Sequence, residues 1–219
     1  MENFILQISN LKNLDDIIND LSNKEYYNFL ENEICKNIDG RICHHKIRIL
    51  HTICKLMNIN SYLEIGVHNG GSMSYVISNN KTIKCYGIDL FDDTYGYYKN
   101  EDKINLLRTT LNIEKNNKCS KINLIQGNSF SNKTVEKLKN LLKEKIDLLF
   151  IDGDHSYNGV KNDFIKYSEF VKSNGIIILD DFNIEHTDIV KFVYEYINNN
   201  SRYKILGVYD NNELIILKL

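Results

Sequence analysis

Proline, tryptophan and alanine are absent from this chain, and only 11 glycines occur among its 219 residues. Codons for alanine, proline and glycine are rich in G and C, so this bias is typical of an AT-rich genome. Three glycines nevertheless stand close together, at Gly66, Gly70 and Gly71. Glycine allows positive φ and close approach of the backbone to a ligand. The cluster therefore favours a nucleotide-type binding turn.

Long apolar runs, a secretion signal and an excess of basic residues are also lacking. No segment approaches the roughly 18 apolar residues of a membrane span. The N-terminus lacks the basic region and cleavage site of a signal peptide. A net charge of −2 provides no overall positive field for nucleic acid. We therefore expect a cytoplasmic protein whose partner is neither a membrane nor a nucleic acid.

The five cysteines are odd in number and form no C-x-x-C pair, which indicates free thiols in a reducing compartment. Cys43, His44 and His45, together with His51, form the one segment that resembles a metal cluster. They lie in a helical stretch, where adjacent side chains point apart and cannot readily chelate one ion. The sequence does not favour a zinc site there.

The spacing of apolar residues predicts the order of helices and strands. Residues 1–58 show the three- and four-residue spacing of helices. From residue 61, short apolar runs alternate with helical stretches, which is typical of βαβ units in a doubly wound parallel sheet. The predicted strands are 61–65, 84–88, 121–126, 146–151 and 175–180. The predicted helices are 71–79, 101–116, 132–144, 157–172 and 187–199.

The end of the chain departs from this alternation. Residues 203–209 and 213–219 are strand-like and are joined by a link too short for a parallel crossover, which predicts an antiparallel hairpin. We therefore predict an α/β fold with a mostly parallel, seven-stranded, Rossmann-like sheet. We expect residues 1–58 to form a helical cap over the ligand-binding edge or an oligomer contact. Residues 59–219 would form the ligand-binding part of the same domain.

The turn after the first predicted strand carries the first chemical signal. It reads Glu64-x-Gly66-x-His68-x-Gly70-Gly71-Ser72. Backbone N–H groups at the start of the next helix can bind an anionic group. The spacing is not the G-x-G-x-x-G of dinucleotide folds, because His68 stands where the second glycine lets the backbone approach a pyrophosphate. Glu64 would repel a diphosphate and suits an ammonium group, as at the methionine end of S-adenosylmethionine.

Two further strands end in polar residues. Asp89 follows the second strand about 20 residues beyond the glycine turn, where an acid can accept hydrogen bonds from ribose hydroxyls. Asn128 and Ser129 follow the third strand, where they could hydrogen-bond a purine edge. As an isolated string they would indicate only a turn.

The last two parallel strands end in acids. Asp152 follows the strand 146–151, and Asp180 and Asp181 follow the next strand. A right-handed crossover brings such strand ends to one edge of the sheet, where ligands bind. Carboxylates that converge there repel one another unless a proton or a cation lies among them, and oxygen ligands favour Mg²⁺. Asp154, close to Asp152, is either a turn residue or a further ligand.

Taken in order, these motifs resemble a known family. The similarity rests on the glycine turn, Asp89, the D-G-D-H-x-Y run at 152–157 and Leu179-Asp180-Asp181-Phe182. Together they resemble class I S-adenosylmethionine-dependent methyltransferases. More narrowly, they resemble the metal-dependent branch that includes sugar O-methyltransferases of macrolide and aminocoumarin biosynthesis. The resemblance covers roughly residues 60–219.

The resemblance implies a role for each motif. It assigns Glu64, Gly66 and Ser72 to the methionine part of the cofactor and implies that His68 and Gly70 also contact the cofactor. It implies that Asp89 binds the ribose and that Asn128 and Ser129 lie by the adenine.

The resemblance also implies the residues that do the chemistry. Asp152, Asp180 and Asp181 would hold Mg²⁺ or another divalent cation. Asp152, which would also contact the cofactor, and His155 are the two candidate proton acceptors. The implied activity is O-methylation of a hydroxyl on a small molecule or sugar.

Three alternatives stay open. An NAD-dependent oxidoreductase is disfavoured by Glu64 and by the missing middle glycine. A non-catalytic cofactor-binding protein of the same fold would be expected to have lost the acids, which are present. The third alternative keeps methyl transfer but has a group of a protein or nucleic acid as the acceptor.

The Tyr-rich loop 92–100 is either a substrate lid or an exposed loop. Proteins of this type often form homo-oligomers, so a homo-oligomer is possible here too.

Overall fold

Seven strands and seven α-helices make up the part of the chain that the computed structural model describes, which is residues 24–36, 44–79, 82–92, 105–116, 121–210 and 212–219. The strands are β1 (Ser61–Ile65), β2 (Lys84–Asp89), β3 (Lys121–Gln126), β4 (Ile146–Ile151), β5 (Val171–Leu179), β6 (Tyr203–Tyr209) and β7 (Glu213–Lys218). The helices are α1 (Lys24–Cys35), α2 (His44–Leu56), α3 (Gly71–Asn79), α4 (Leu106–Asn116), α5 (Asn132–Leu141), α6 (Tyr157–Ser168) and α7 (Thr187–Phe192). A π-helical turn, Val193–Ile197, continues α7.

All seven strands form one sheet in the order β3-β2-β1-β4-β5-β7-β6. The first five strands along the chain pair in parallel, and β7 pairs antiparallel with both β5 and β6. This confirms the predicted α/β fold with its seven-stranded, mostly parallel sheet and its C-terminal hairpin. The hairpin enters the sheet through its second strand, so β7 and not β6 lies beside β5.

Helices cover both faces of the sheet, as in other doubly wound folds. Alternate side chains of a strand point to opposite faces, and they pack in two separate hydrophobic clusters, one on each face. Leu63 of β1 packs in one cluster with side chains of α5, α6 and α7. Tyr62 of β1 packs in the other with side chains of α2, α3 and α4.

The described N-terminal helices pack on the second of these faces. Ile49 and Ile53 of α2 are buried in the same cluster as Tyr62, and Ile34 of α1 packs against Tyr75 of α3. The division of the chain at residue 58 stays a prediction, and residues 1–23 and 37–43 lie outside the described ranges. No helix in the described ranges is both long and apolar enough to cross a membrane.

Several predicted element ends differ from the structure. The predicted helix 157–172 is too long, because β5 begins at Val171, which pairs with Ile146 of β4. The parallel register then shifts before Ile176, and Asn174 takes a positive φ of 60° in this irregular stretch. The α-helix predicted at 187–199 widens to a π-helix after Phe192. Of the Tyr-rich loop, only its first residue is described.

A buried carboxylate joins three strands at the edge of the sheet opposite the acid-bearing strand ends. Asp147 Oδ2 accepts hydrogen bonds from the backbone N–H groups of Asn60 (2.8 Å) and Ser61 (2.9 Å). Lys172 of β5 forms an ion pair with Asp147. Burial alone would raise the pKa of Asp147, but the hydrogen bonds from Lys172, Asn60 and Ser61 outweigh it and lower this pKa.

We expect the substitution Asp147→Asn to lower the free energy of unfolding at neutral pH by about 1–3 kcal/mol, because buried backbone donors lose a charged acceptor. The lowered pKa makes the contribution of Asp147 fully present above the ordinary pKa of an Asp, about 3.9. The contribution is lost as the pH falls through the lowered pKa. Urea denaturation at about pH 7 and about pH 3 measures both effects.

The matched control is Glu144→Gln, which removes an exposed ion pair with Lys84 (2.6 Å) at the same edge of the sheet. Exposed pairs contribute little, so this variant should stay close to the wild-type protein. Equal losses in the two variants, or a loss in Asp147→Asn that does not shrink in acid, would contradict the assignment.

Candidate active site

The parallel strands end level with one another at the edge where the motifs lie. The backbone ladder continues one residue past each strand: Gly66 N–H donates to Ile88 O (2.9 Å) and Asp152 N–H donates to Ile65 O (2.8 Å). Beyond β5, Asp180 N–H likewise donates to Ile151 O (3.0 Å). The residues that the sequence singled out at strand ends therefore lie side by side.

The glycine turn connects β1 to α3 through three residues with positive φ. Gly66 has φ 88°, His68 has φ 54° and Gly70 has φ 84°. A Cβ atom on Gly66 would lie 2.0 Å from the backbone oxygen of Asp152, so only glycine fits. The turn is thus packed directly against the residue that follows β4, and this contact requires glycine whether or not a ligand is bound.

Glu64 lies inside the protein at the end of β1. It is 0% exposed, and Ser72 Oγ at the start of α3 donates a hydrogen bond to its Oε1. Burial raises the pKa of Tyr62 on the same face of β1, and the Glu64 carboxylate raises it further. The partial positive charge at the N-terminus of a helix stabilises a carboxylate, so Glu64 and Ser72 form one polar unit with the start of α3.

Asp89 closes the neighbouring turn. Its Oδ2 accepts from the backbone N–H of His68 (2.8 Å), and its Oδ1 accepts from that of Phe91 (2.7 Å). Each carboxylate oxygen can accept a second hydrogen bond, which leaves capacity for a pair of hydroxyl groups. The structure thus ties the second strand end to the glycine turn through Asp89.

The turn after β3 is anchored from α6. Asn128 Oδ1 accepts from the N–H of Phe130 (2.8 Å), and the Tyr167 hydroxyl donates to Ser129 O (2.8 Å). Asp163 of α6 is buried beside this turn. Burial raises the pKa of Asp163 to about 6, while hydrogen bonds from Ser129 and Asn162 act in the opposite direction.

Three acids converge past the ends of β4 and β5. One carboxylate oxygen from each of Asp152, Asp180 and Asp181 lies within 4.8 Å of the others. Asp180 is buried, and Asp181 takes a φ of 54°, a region in which Asp is tolerated better than most residues. Asp154 lies outside this cluster, and its Oδ1 accepts from Ser156 N–H (2.9 Å) ahead of α6.

The hairpin turn between β6 and β7 holds Asp180 in place. The sequence predicted a role for Asp180 but not this contact. Asn212 Nδ2 donates to Asp180 Oδ1 (3.1 Å) and to Oε1 of the buried Glu213 (3.2 Å). Asn212 O accepts from Phe182 N–H (2.7 Å). The only local signal was the position of Asn212 in a hairpin turn.

Two histidines border the acids. His155 lies between two carboxylates, with Nε2 3.5 Å from Asp152 Oδ1 and Nδ1 3.3 Å from Asp181 Oδ2. His186 was missed by sequence reasoning, yet its Nε2 lies 3.9 Å from Asp181 Oδ2. The two imidazole rings meet edge to face with centroids 4.8 Å apart.

Known proteins place this arrangement in context. The chain is 28% identical over 193 residues to an uncharacterized protein of Acanthamoeba polyphaga mimivirus, and the match covers 82% of each chain. Its fold is similar to that of the O-methyltransferase TomG of Streptomyces achromogenes, solved in complex with SAM. The TM-score is 0.64 at 10% identity, covering 89% of this chain and 96% of TomG.

A third similarity is to the methyltransferase MycE of the mycinamycin biosynthetic pathway, solved with Mg and SAH. The TM-score is 0.56 at 18% identity, covering 91% of this chain and 54% of MycE. These structural likenesses show the fold. The sequence model of the methyltransferase domain matches residues 63–182, more than half of the chain. Because this span runs from β1 past the end of β5 and includes every parallel strand end described above, the chain belongs to the methyltransferase domain family.

Proposed function

We propose that the protein is an S-adenosylmethionine-dependent O-methyltransferase that uses Mg²⁺ or another divalent cation to methylate a hydroxyl of a small molecule or sugar. One observation carries the proposal: the glycine turn packs against Asp152, which is itself a member of the three-acid cluster. The proposed cofactor turn and the proposed cation site thus meet at Asp152, the residue that follows β4. TomG with SAM and MycE with Mg and SAH are precedents for such ligands on this fold.

The cofactor would lie across the ends of β1, β2 and β3. Glu64 and Ser72 suit the ammonium and carboxylate of its methionine part, next to the N–H groups that start α3. Asp89 has acceptor capacity for ribose hydroxyls. Asn128 and Ser129 would border the adenine. Gly66, His68 and Gly70 shape the turn that would hold the cofactor.

The three-acid cluster fits a hard divalent cation. Opposite ligands of a Mg²⁺ octahedron lie about 4.2 Å apart and adjacent ones about 3 Å apart. Carboxylate oxygens of Asp152, Asp180 and Asp181 within 4.8 Å of one another therefore need only a small approach to bind one ion. When bound, the cation lowers the pKa of the acceptor hydroxyl and S-adenosylmethionine supplies an activated methyl group.

Asp152 and His155 are the groups that would take the acceptor proton. The imidazole of His155 faces a carboxylate at each nitrogen, Asp152 at Nε2 and Asp181 at Nδ1. A proton taken at His155 Nε2 could be shared with Asp152 Oδ1. Much of the remaining acceleration would come from holding the hydroxyl in line with the methyl group.

The alternatives have less support. In an NAD-dependent oxidoreductase, His68 would stand at the closest approach to the pyrophosphate, and the buried Glu64 would repel it. A non-catalytic protein of the same fold would have no need of three converging acids, two of which follow one strand directly. The proposed acceptor is a small molecule or sugar.

We expect the wild-type protein to bind S-adenosylmethionine and not NAD⁺, and Glu64→Gln to weaken that binding about tenfold. The variant keeps the shape of the side chain and removes the charge that attracts the ammonium, which corresponds to about 1.4 kcal/mol. Isothermal titration with each cofactor measures both. Glu169→Gln, at an exposed residue far from the turn, is the control. NAD⁺ binding, or equal affinities in the two variants, would refute the cofactor assignment.

We expect Asp180→Asn to weaken Mg²⁺ binding at least tenfold while it leaves S-adenosylhomocysteine affinity within about twofold, since one charged ligand is lost from the cation and none from the cofactor. Titration of Mg²⁺ into the protein saturated with S-adenosylhomocysteine measures the Mg²⁺ affinity. Titration of S-adenosylhomocysteine into the protein measures the cofactor affinity. Asp154→Asn, in the same edge region but outside the cluster, should bind Mg²⁺ like the wild type. An unchanged Mg²⁺ affinity in Asp180→Asn would remove the metal from the mechanism.

A further inference from the structure

Asp181 faces two different groups of ligand atoms. On one side lie the carboxylates of Asp152 and Asp180, and on the other lie His155 and His186, again with all ligand atoms within 4.8 Å of one another. The first group contains only oxygen. The second offers two imidazole nitrogens and one carboxylate oxygen, a set that suits first-row transition metals better than Mg²⁺.

The distances in the second group approach those of a metal site. With metal–ligand bonds of about 2.0–2.1 Å, neighbouring ligand atoms of a tetrahedral zinc site lie about 3.3 Å apart. His155 Nδ1 is 3.3 Å from Asp181 Oδ2, and His186 Nε2 is 3.9 Å from the same oxygen. The edge-to-face packing of the two rings, with an interplanar angle of 88°, lets the imidazoles approach a common point from different directions.

The other nitrogen of His155 completes the pattern. Histidines that bind metals almost always donate their second ring N–H to a carboxylate or carbonyl, which fixes the tautomer and orients the ring. His155 Nε2 lies 3.5 Å from Asp152 Oδ1. With Nδ1 directed at Asp181 and Nε2 at Asp152, His155 has the orientation of a metal ligand supported by a carboxylate.

We infer that His155, Asp181 and His186 form a second metal position, one that selects a divalent first-row transition ion such as Zn²⁺, Mn²⁺ or Co²⁺, with Asp181 shared between it and the oxygen-only position. Waters or an acceptor oxygen would complete the coordination. Each position contains residues that the other lacks: Asp180 belongs only to the first, and His186 only to the second. The inference shares Asp181 and His155 with the proposed function but needs neither methyl transfer nor cofactor binding. With a metal at His155 Nδ1 and its Nε2–H donated to Asp152, Asp152 is the group left to take the acceptor proton.

Metal binding to the metal-free, cofactor-free full chain tests the inference. We expect wild-type protein to bind one Zn²⁺ at this position, measured by competition with a chromophoric chelator. His186→Gln, and His186→Ala, which leaves no donor atom, should weaken Zn²⁺ at least tenfold and leave Mg²⁺ affinity within about twofold. Asp180→Asn should do the reverse. His186 is partly exposed, so its replacement should not disturb folding, and thermal unfolding of the metal-free variants checks this.

A spectroscopic readout separates this position from other zinc-binding residues. Co²⁺ in the wild-type protein should give the intense visible bands of a low-coordinate nitrogen site, and these should be lost in His155→Gln and in His186→Ala. Zn²⁺ affinity unchanged in both His186 variants would overturn the inference, as would parallel loss of Zn²⁺ and Mg²⁺ in every variant. Neither result depends on S-adenosylmethionine binding, so failure of the methyltransferase proposal would be seen separately.

Discussion

The common register of the parallel strands is the constraint on which the site depends. Hydrogen bonds from Gly66 to Ile88, from Asp152 to Ile65 and from Asp180 to Ile151 extend the ladder past the strand ends. Turn residues far apart in the chain are thereby placed level at one edge. A shift of one residue in any pair would turn its side chains to the opposite face and separate the acids from the glycine turn.

The elements that could be predicted from sequence are those whose signal is local. The strand limits of β1, β3 and β4, the hairpin, and the convergence of Asp152 with Asp180 all follow from apolar runs, turn residues and the handedness of βαβ units. Asn212 and His186 could not be predicted in this way. Asn212 reaches Asp180 only because β7 inserts beside β5, and His186 reaches Asp181 only through the course of the loop before α7. Neither arrangement is encoded in a local pattern.

Buried acidic side chains are concentrated at the edge of the sheet where the parallel strands end, and their burial costs stability. Glu64 and Glu213 are fully buried and Asp180 nearly so, and each must be stabilised by hydrogen bonds because burial disfavours the charged form. Ser72 and Asn212 supply part of that stabilisation. At the opposite edge, the buried carboxylate of Asp147 also accepts hydrogen bonds, but there it joins strands. Among the described residues, no cluster of acids accompanies it. Buried acids thus join strands at one edge, and at the other they lie among the residues proposed to bind ligands.

The contact between Gly66 and the Asp152 backbone has a consequence for how such a protein can diversify. It couples the turn after β1 to the loop after β4 as one stiff unit, so neither can be remodelled without the other. The loop before α7 is not part of that unit and reaches the acids from outside, through His186. Substitutions at the exposed residues of this loop could change what is recognised while the geometry at the strand ends is inherited intact. Laboratory evolution of a new specificity would therefore best begin at Ile184 and Glu185.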